Sequence, residues 1–152
     1  MNLLPKIGCE INVDTYFSDF GEECGEECGE ECEYYCEIDW DIHEEYGKFY
    51  RYEDDEIITL TGDELNKICY DSEEIFLVYD DEDNGKNIHI EIKFTSKGGF
   101  TVAKMLDCIL TSEREFRPKA AFLYGYIDES HTGFEGLIKV EEPNKFTALW
   151  GS

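Results

Sequence analysis

The chain of 152 residues carries 37 Asp and Glu against 13 Lys and Arg, a formal charge of −24, yet 41% of it is hydrophobic and 14% aromatic. That apolar content is too high for a disordered chain, and the length is that of one ordinary domain, so 1–152 reads as a single domain with its own core. The charge argues against a direct nucleic-acid binder and against an anionic membrane surface. No apolar run is long enough to span a bilayer or to act as a secretion signal near Met1–Lys6, and the expected location is intracellular, not secreted.

The charge is not evenly spread. Residues 1–85 hold 28 acids and four bases, whereas residues 86–152 hold nine of each. Between Lys6 and Lys48 no basic residue occurs. The acidic part opens with a candidate strand, Cys9–Phe17, with Ile11 and Val13 on one face. Three tandem tetrads follow, Gly21-Glu22-Glu23-Cys24, Gly25-Glu26-Glu27-Cys28 and Gly29-Glu30-Glu31-Cys32, then a degenerate Glu33-Tyr34-Tyr35-Cys36. This low-complexity repeat at 21–36 reads as an exposed loop or frayed helix. Its alternative reading is a site for zinc or another soft metal at Cys24, Cys28, Cys32 and Cys36. On a helix, however, four-residue steps string these thiols along about 18 Å at 1.5 Å per residue, too far to surround one ion. The uniform spacing also departs from the paired cysteines of structural zinc sites. Seven cysteines without an export signal otherwise read as free thiols.

Further along, Phe49–Tyr52 and Ile57–Leu60 suggest a hairpin across Glu53-Asp54-Asp55-Glu56. Thr61-Gly62-Asp63-Glu64 fits a capping box opening a short helix through about Tyr70. Two strands, Ile75–Tyr79 and Ile88–Phe94, flank an Asn84-Gly85 turn signal. The stretch Asp80–Glu91 partly fits a calcium-loop template, with Asn84, Gly85 and Glu91 in place. Its flanks nevertheless alternate like strands rather than helices, and a hairpin explains the same residues. Thr101 is the expected N-cap of the main helix, whose apolar face is Val102, Met105, Leu106, Ile109 and Leu110 and which Pro118 ends. Ala121–Ile127, Phe134–Val140 and Phe146–Trp150 complete the reading as a three-stranded meander. The expected fold is α+β: an antiparallel sheet built of a hairpin, one main helix and a meander, with an acidic N-terminal β-rich extension.

No arrangement points to an enzyme. His89 alternates with Ile88 and Ile90 and belongs on the polar face of a strand, and His89-Ile90-Glu91 lacks the downstream cysteines of a zinc deaminase. Asp128-Glu129-Ser130-His131 gathers acid, hydroxyl and imidazole in one turn, but closeness in sequence is not triad geometry.

The motifs Gly99-Phe100-Thr101-Val102, Met105-Leu106-Asp107, Arg117-Pro118, Phe134-Glu135-Gly136-Leu137 and Trp150-Gly151-Ser152 resemble small uncharacterised proteins of giant DNA viruses, over roughly residues 88–152. The resemblance implies a viral setting, in host cytoplasm or virion, and no activity. The expected function is that of a non-enzymatic interaction protein without a cofactor. Its acidic surface, including Glu22, Glu23, Glu26, Glu27, Glu30, Glu31, Asp54 and Asp55, would engage a basic protein or other cationic surface, in the sharpest version by mimicking a nucleic-acid backbone. The alternatives are metal binding through the cysteines, and acidity that serves only solubility.

Overall fold

The computed structural model describes residues 4, 7–18, 33–42, 47–83, 86–124, 132–140 and 143–151. In chain order the elements are β1 (Ile7–Gly8), β2 (Glu10–Ser18), β3 (Glu33–Asp41), β4 (Tyr50–Glu53), β5 (Glu56–Thr59), α1 (Gly62–Leu65) and β6 (Ile68–Tyr70). They continue with β7 (Glu74–Asp83), β8 (Lys86–Thr95), β9 (Phe100–Thr101), α2 (Val102–Tyr124), β10 (Gly133–Lys139) and β11 (Lys145–Gly151). The main sheet has six strands in the order β3-β2-β10-β11-β7-β8. Two small sheets accompany it, β1-β4-β5 and β6-β9. The described residues are thus mostly β-structure with one long helix, an α+β arrangement.

Local chemistry accounts for several elements. In the capping box of α1, the Glu64 amide donates to Thr61 Oγ1 at 3.2 Å and the Thr61 amide to the Glu64 carboxylate at 2.9 Å. Thr101 caps α2 by accepting from the Lys104 amide at 3.1 Å. The expected apolar face of α2 is buried throughout, from Val102 to Leu110, and packs in one core cluster with Ile11, Trp40, Ile75, Leu77, Phe134, Leu137 and Phe146. Both halves of the chain contribute to that cluster. The β7–β8 ladder runs unbroken from Glu74↔Thr95 to Asp83↔Lys86, so strands occupy the flanks of the calcium-loop template and the two-residue connection 84–85 lies outside the described residues.

Four expectations are corrected. First, α2 continues through Pro118 to Tyr124, so no strand begins at Ala121, and the expected meander is the two-stranded hairpin β10–β11. A proline removes one amide and crowds the preceding turn, but Lys119, Ala120 and Ala121 are strong helix formers that carry the helix on. Second, α1 stops at Leu65 because Ile68–Tyr70 is drawn into pairing with β9, Ile68 opposite Thr101 and Tyr70 opposite Phe100. Third, the sheet is mixed rather than wholly antiparallel: β11 pairs with β7 in parallel, Lys145 beside Phe76 and Phe146 beside Leu77. Fourth, the last four residues of the repeat, Glu33 to Cys36, lie in β3 rather than in a loop or frayed helix. Aromatic Tyr34 and Tyr35 suit a pleated strand, and β2 supplies the partner.

Candidate functional site

Within the stretch between Lys6 and Lys48 that holds no Lys or Arg, most of the described residues form a two-stranded ribbon. β2 and β3 pair antiparallel over nine successive positions, from Glu10↔Asp41 to Ser18↔Glu33. The rest of the sheet holds this ribbon at one end. The pairing of β10 with β2 is at Gly133↔Glu10, flanked by Ile11 N–H donating to Thr132 O at 2.9 Å and Phe134 N–H donating to Cys9 O at 2.8 Å. Beyond that attachment, among the described residues, β2 has β3 alone as its neighbour.

Because directly opposed residues share a face and faces alternate along a strand, the register sorts the ribbon into two sides. One side holds the positions of Ile11, Val13, Thr15 and Phe17 opposite Trp40, Ile38, Cys36 and Tyr34. It is the core side: Ile11, Ile38 and Trp40 are only 1%, 4% and 6% exposed. The other side holds the positions of Glu10, Asn12, Asp14, Tyr16 and Ser18 opposite Asp41, Asp39, Glu37, Tyr35 and Glu33. Six of these ten positions are acidic and none is basic. Two pairs, Glu10↔Asp41 and Asp14↔Glu37, set like charges directly across from each other. Such pairs cost stability, by up to about 1 kcal/mol each, where opposite charges would contribute a similar gain. Glu10, Asp39 and Asp41 are exposed.

The core side is fastened by aromatic and ionic contacts. The rings of Trp40 and Trp150 stack at 6.1 Å, and Phe49 meets Trp40 edge-on at 5.6 Å. Trp40 Nε1 is buried without a hydrogen-bond acceptor. Trp150 Nε1 donates to Glu113 Oε1 at 2.8 Å, while Arg117 Nε donates to Glu113 Oε2 at 2.7 Å and its guanidinium lies 5.5 Å from the Trp150 ring. Burial pushes the Glu113 carboxyl above the usual range, against the opposing pull of Arg117. At the outer edge of β3, Arg114 Nε donates to Ile38 O at 3.1 Å and Nη2 lies 3.8 Å from Asp39, whose carboxylate also accepts from the Trp40 amide at 2.9 Å. Side chains thus take up two outward-facing backbone groups of that edge.

Of the expected partner-binding residues, Glu22, Glu23, Glu26, Glu27, Glu30 and Glu31 lie outside the described residues. Asp54 and Asp55 form the tip of the β4–β5 hairpin, both left-handed with φ of 49° and 64°, in a different sheet from the ribbon. The acidic positions that the register gathers on one side of the ribbon are instead Glu10, Asp14, Glu33, Glu37, Asp39 and Asp41. Their signal was present: Glu37-Ile38-Asp39-Trp40-Asp41 and Glu10-Ile11-Asn12-Val13-Asp14 both alternate with period two.

Among the candidate metal ligands, Cys24, Cys28 and Cys32 lie outside the described residues, and Cys36 falls within paired β3. No group of three or more His, Cys, Asp or Glu among the described residues is arranged to hold a metal ion. Burial raises the thiols of Cys9, Cys69 and Cys108, the latter two to about 11, so all three stay protonated near neutral pH. His89 is exposed, as its alternation predicts. Its Nδ1 lies 2.5 Å from Asp80 and its Nε2 lies 3.1 Å from Glu91, which also accepts from Lys145 Nζ at 2.7 Å. The hydrogen bond to Asp80, reinforced by Glu91, holds the imidazole above its ordinary value. His43 and the Asp128–His131 turn lie outside the described residues. No helix among the described residues is long and apolar enough to cross a membrane.

Comparison with protein-family models, with curated proteins and with solved structures finds no match for the chain. The motifs behind the viral resemblance do have clear structural positions. Phe100, Met105, Leu106, Phe134 and Leu137 are core residues. Gly99 has φ of 102°, and a Cβ there would stand 2.8 Å from Tyr70 O. Gly136 has φ of 140° beside the irregularity where β10 slips register against β11.

Proposed function

We propose that this is a non-enzymatic interaction protein that presents the acidic face of the β2–β3 ribbon to a basic partner. The observation that carries the reading is the register, which aligns six acidic positions on one face at the cost of two like-charge pairs. A sheet selected for stability alone places opposite charges across from each other. An acidic N-terminal extension, conceived from composition, is in this reading a docking ribbon continuous with the main sheet. A viral setting, implied by the resemblance of residues 88–152, belongs to the same proposal.

Charge density favours a basic protein surface over a close copy of duplex DNA. Eight residue steps at about 3.4 Å span about 27 Å, so the six positions amount to about one charge per 5 Å. Duplex DNA carries about one per 1.7 Å of axis. The ribbon resembles a sparsely charged single strand more than a duplex.

The test is binding of a fluorescent lysine-rich peptide, read by anisotropy across ionic strength, with three chains compared. Wild type is expected to bind at low salt and release progressively as salt rises. A ribbon variant, E10Q/D14N/E37Q/D39N/D41N, is expected to bind at least tenfold more weakly. A charge-matched control, D54N/D55N/E56Q/D63N/D71N, is expected to stay within about twofold of wild type. Equal losses in the two variants would show that only net charge matters and that the acidity serves solubility.

A further inference from the structure

The opposite end of the sheet has a different character. β8 is its terminal strand, ten residues long, and among the described residues it pairs with β7 alone. The Ser96 amide donates to Glu73 O at 2.9 Å, which continues the ladder one step and identifies the even-numbered residues of β8 as those bonded to β7. The backbone groups of Asn87, His89, Glu91, Lys93 and Thr95 therefore face outward. Among the described residues no side chain bonds to that edge, in contrast to the β3 edge, where Arg114 and Asp39 occupy the backbone. On the helix side of the same strand, Ile90, Ile92 and Phe94 are only half-buried although they pack against the core.

We infer that β8 pairs with β8 of a second copy of this chain, antiparallel about a two-fold axis at Ile92, joining two six-stranded sheets into one. The charges suit this register. With Ile92 opposite Ile92, Glu91 of each copy stands opposite Lys93 of the other, twice over by symmetry, and Ile90 stands opposite Phe94. Shifting the axis to Glu91 would set that carboxylate against itself. The arrangement also turns outward-facing residues into mutually hydrogen-bonded pairs and covers the half-buried apolar row. The acidic ribbon adds little repulsion, because it lies at the far end of the sheet order; the nearer acids are Glu74 and Asp80–Asp83 of β7, one strand in from the seam. Five strand spacings of about 4.8 Å put each ribbon about 24 Å from the seam, well beyond a Debye length of about 8 Å.

Sedimentation velocity of the full chain over a range of concentrations tests this, with charge reversals as the probe. Wild type is expected to shift from the 17.7 kDa monomer toward a species of twice that mass. Lys93→Glu, which sets carboxylates opposite each other at two positions, is expected to weaken the dimer at least about tenfold. Glu91→Lys is expected to do the same, and the double reversal to restore association. Because Glu91 also accepts from Lys145, circular dichroism melting of each variant separates lost pairing from lost folding. A wild type that stays monomeric at all concentrations, or a dimer unmoved by Lys93→Glu in a folded chain, would overturn the inference. Neither result bears on the acidic ribbon.

Discussion

At the scale of single residues, the buried Glu113–Arg117 pair shows how a charge is held in the core of this acidic protein. Glu113 is 4% exposed and Arg117 8%, and both oxygens of the carboxylate are engaged, one by Arg117 and one by the Trp150 indole. A buried pair is weak evidence for stability, since desolvation offsets much of the attraction, but removing one partner strands the other. We therefore expect Glu113→Ala and Arg117→Ala each to cost about 3–5 kcal/mol. The double replacement E113L/R117M is expected to cost less than the sum, because it removes both charges together. Urea unfolding of the four chains measures this, and additive losses would show that the two groups act independently. Nothing in the isolated heptapeptide 112–118 announces this network, since a Glu and an Arg four apart on a helix usually form a solvated surface pair. Trp150, which arrives from β11 with Trp40 of β3 stacked on it, bonds to Glu113 and lies beside Arg117 in a buried network.

At the scale of elements, α2 holds the clearest conflict between local and tertiary preference. Pro118 stands sixteen residues after Val102, inside a helix that ends at Tyr124, and it cannot donate to the carbonyl of Arg114. Read locally, a proline after an amphipathic run ends the helix, and the residues beyond it are free to form a strand. In the fold they extend the helix. Pro118→Ala, restoring the missing amide, is expected to raise stability by about 1–3 kcal/mol, read as a higher denaturation midpoint with an unchanged slope. A destabilised variant would mean that the chain breaks at this point. The short elements show the converse. The Thr61 capping box was legible because both halves of the motif lie within four residues, whereas the point at which α1 stops was not, because β9, some thirty residues away, captures Ile68–Tyr70.

Across the whole molecule, the two edges of the main sheet differ in charge. The ribbon of β2 and β3 forms one edge, and the near-neutral β8 forms the other. Like-charge pairs on the ribbon weaken the free protein in a way that salt relieves. The wild-type melting temperature is accordingly expected to rise between low and moderate sodium chloride, and to rise less for the ribbon variant, which begins from a higher value. An equal salt response in both chains would place the repulsion elsewhere in the acidic half. The prediction couples to the proposed function, because the substitutions that stabilise the free protein are those expected to weaken peptide binding.

By itself the sequence determined the features that short windows encode. These are the asymmetric charge, the apolar stripe of α2 with its Thr101 cap, the β7–β8 hairpin and the surface position of His89. The charge is a count along the chain, and each of the others depends on spacing of four residues or fewer, or on a two-residue turn. The period-two acids of β2 and β3 were equally legible as alternation, yet their meaning was not. Only the register, set by pairing across a connection of fourteen residues, places Glu10 with Asp41 and Asp14 with Glu37 on one face of the ribbon. Tertiary structure likewise decided the parallel seating of β11 on β7 and the passage of α2 through Pro118. The physical reason is common to all of these: a strand's neighbours and a helix's end are chosen by burial against distant segments, and local propensity decides only where no such contact competes.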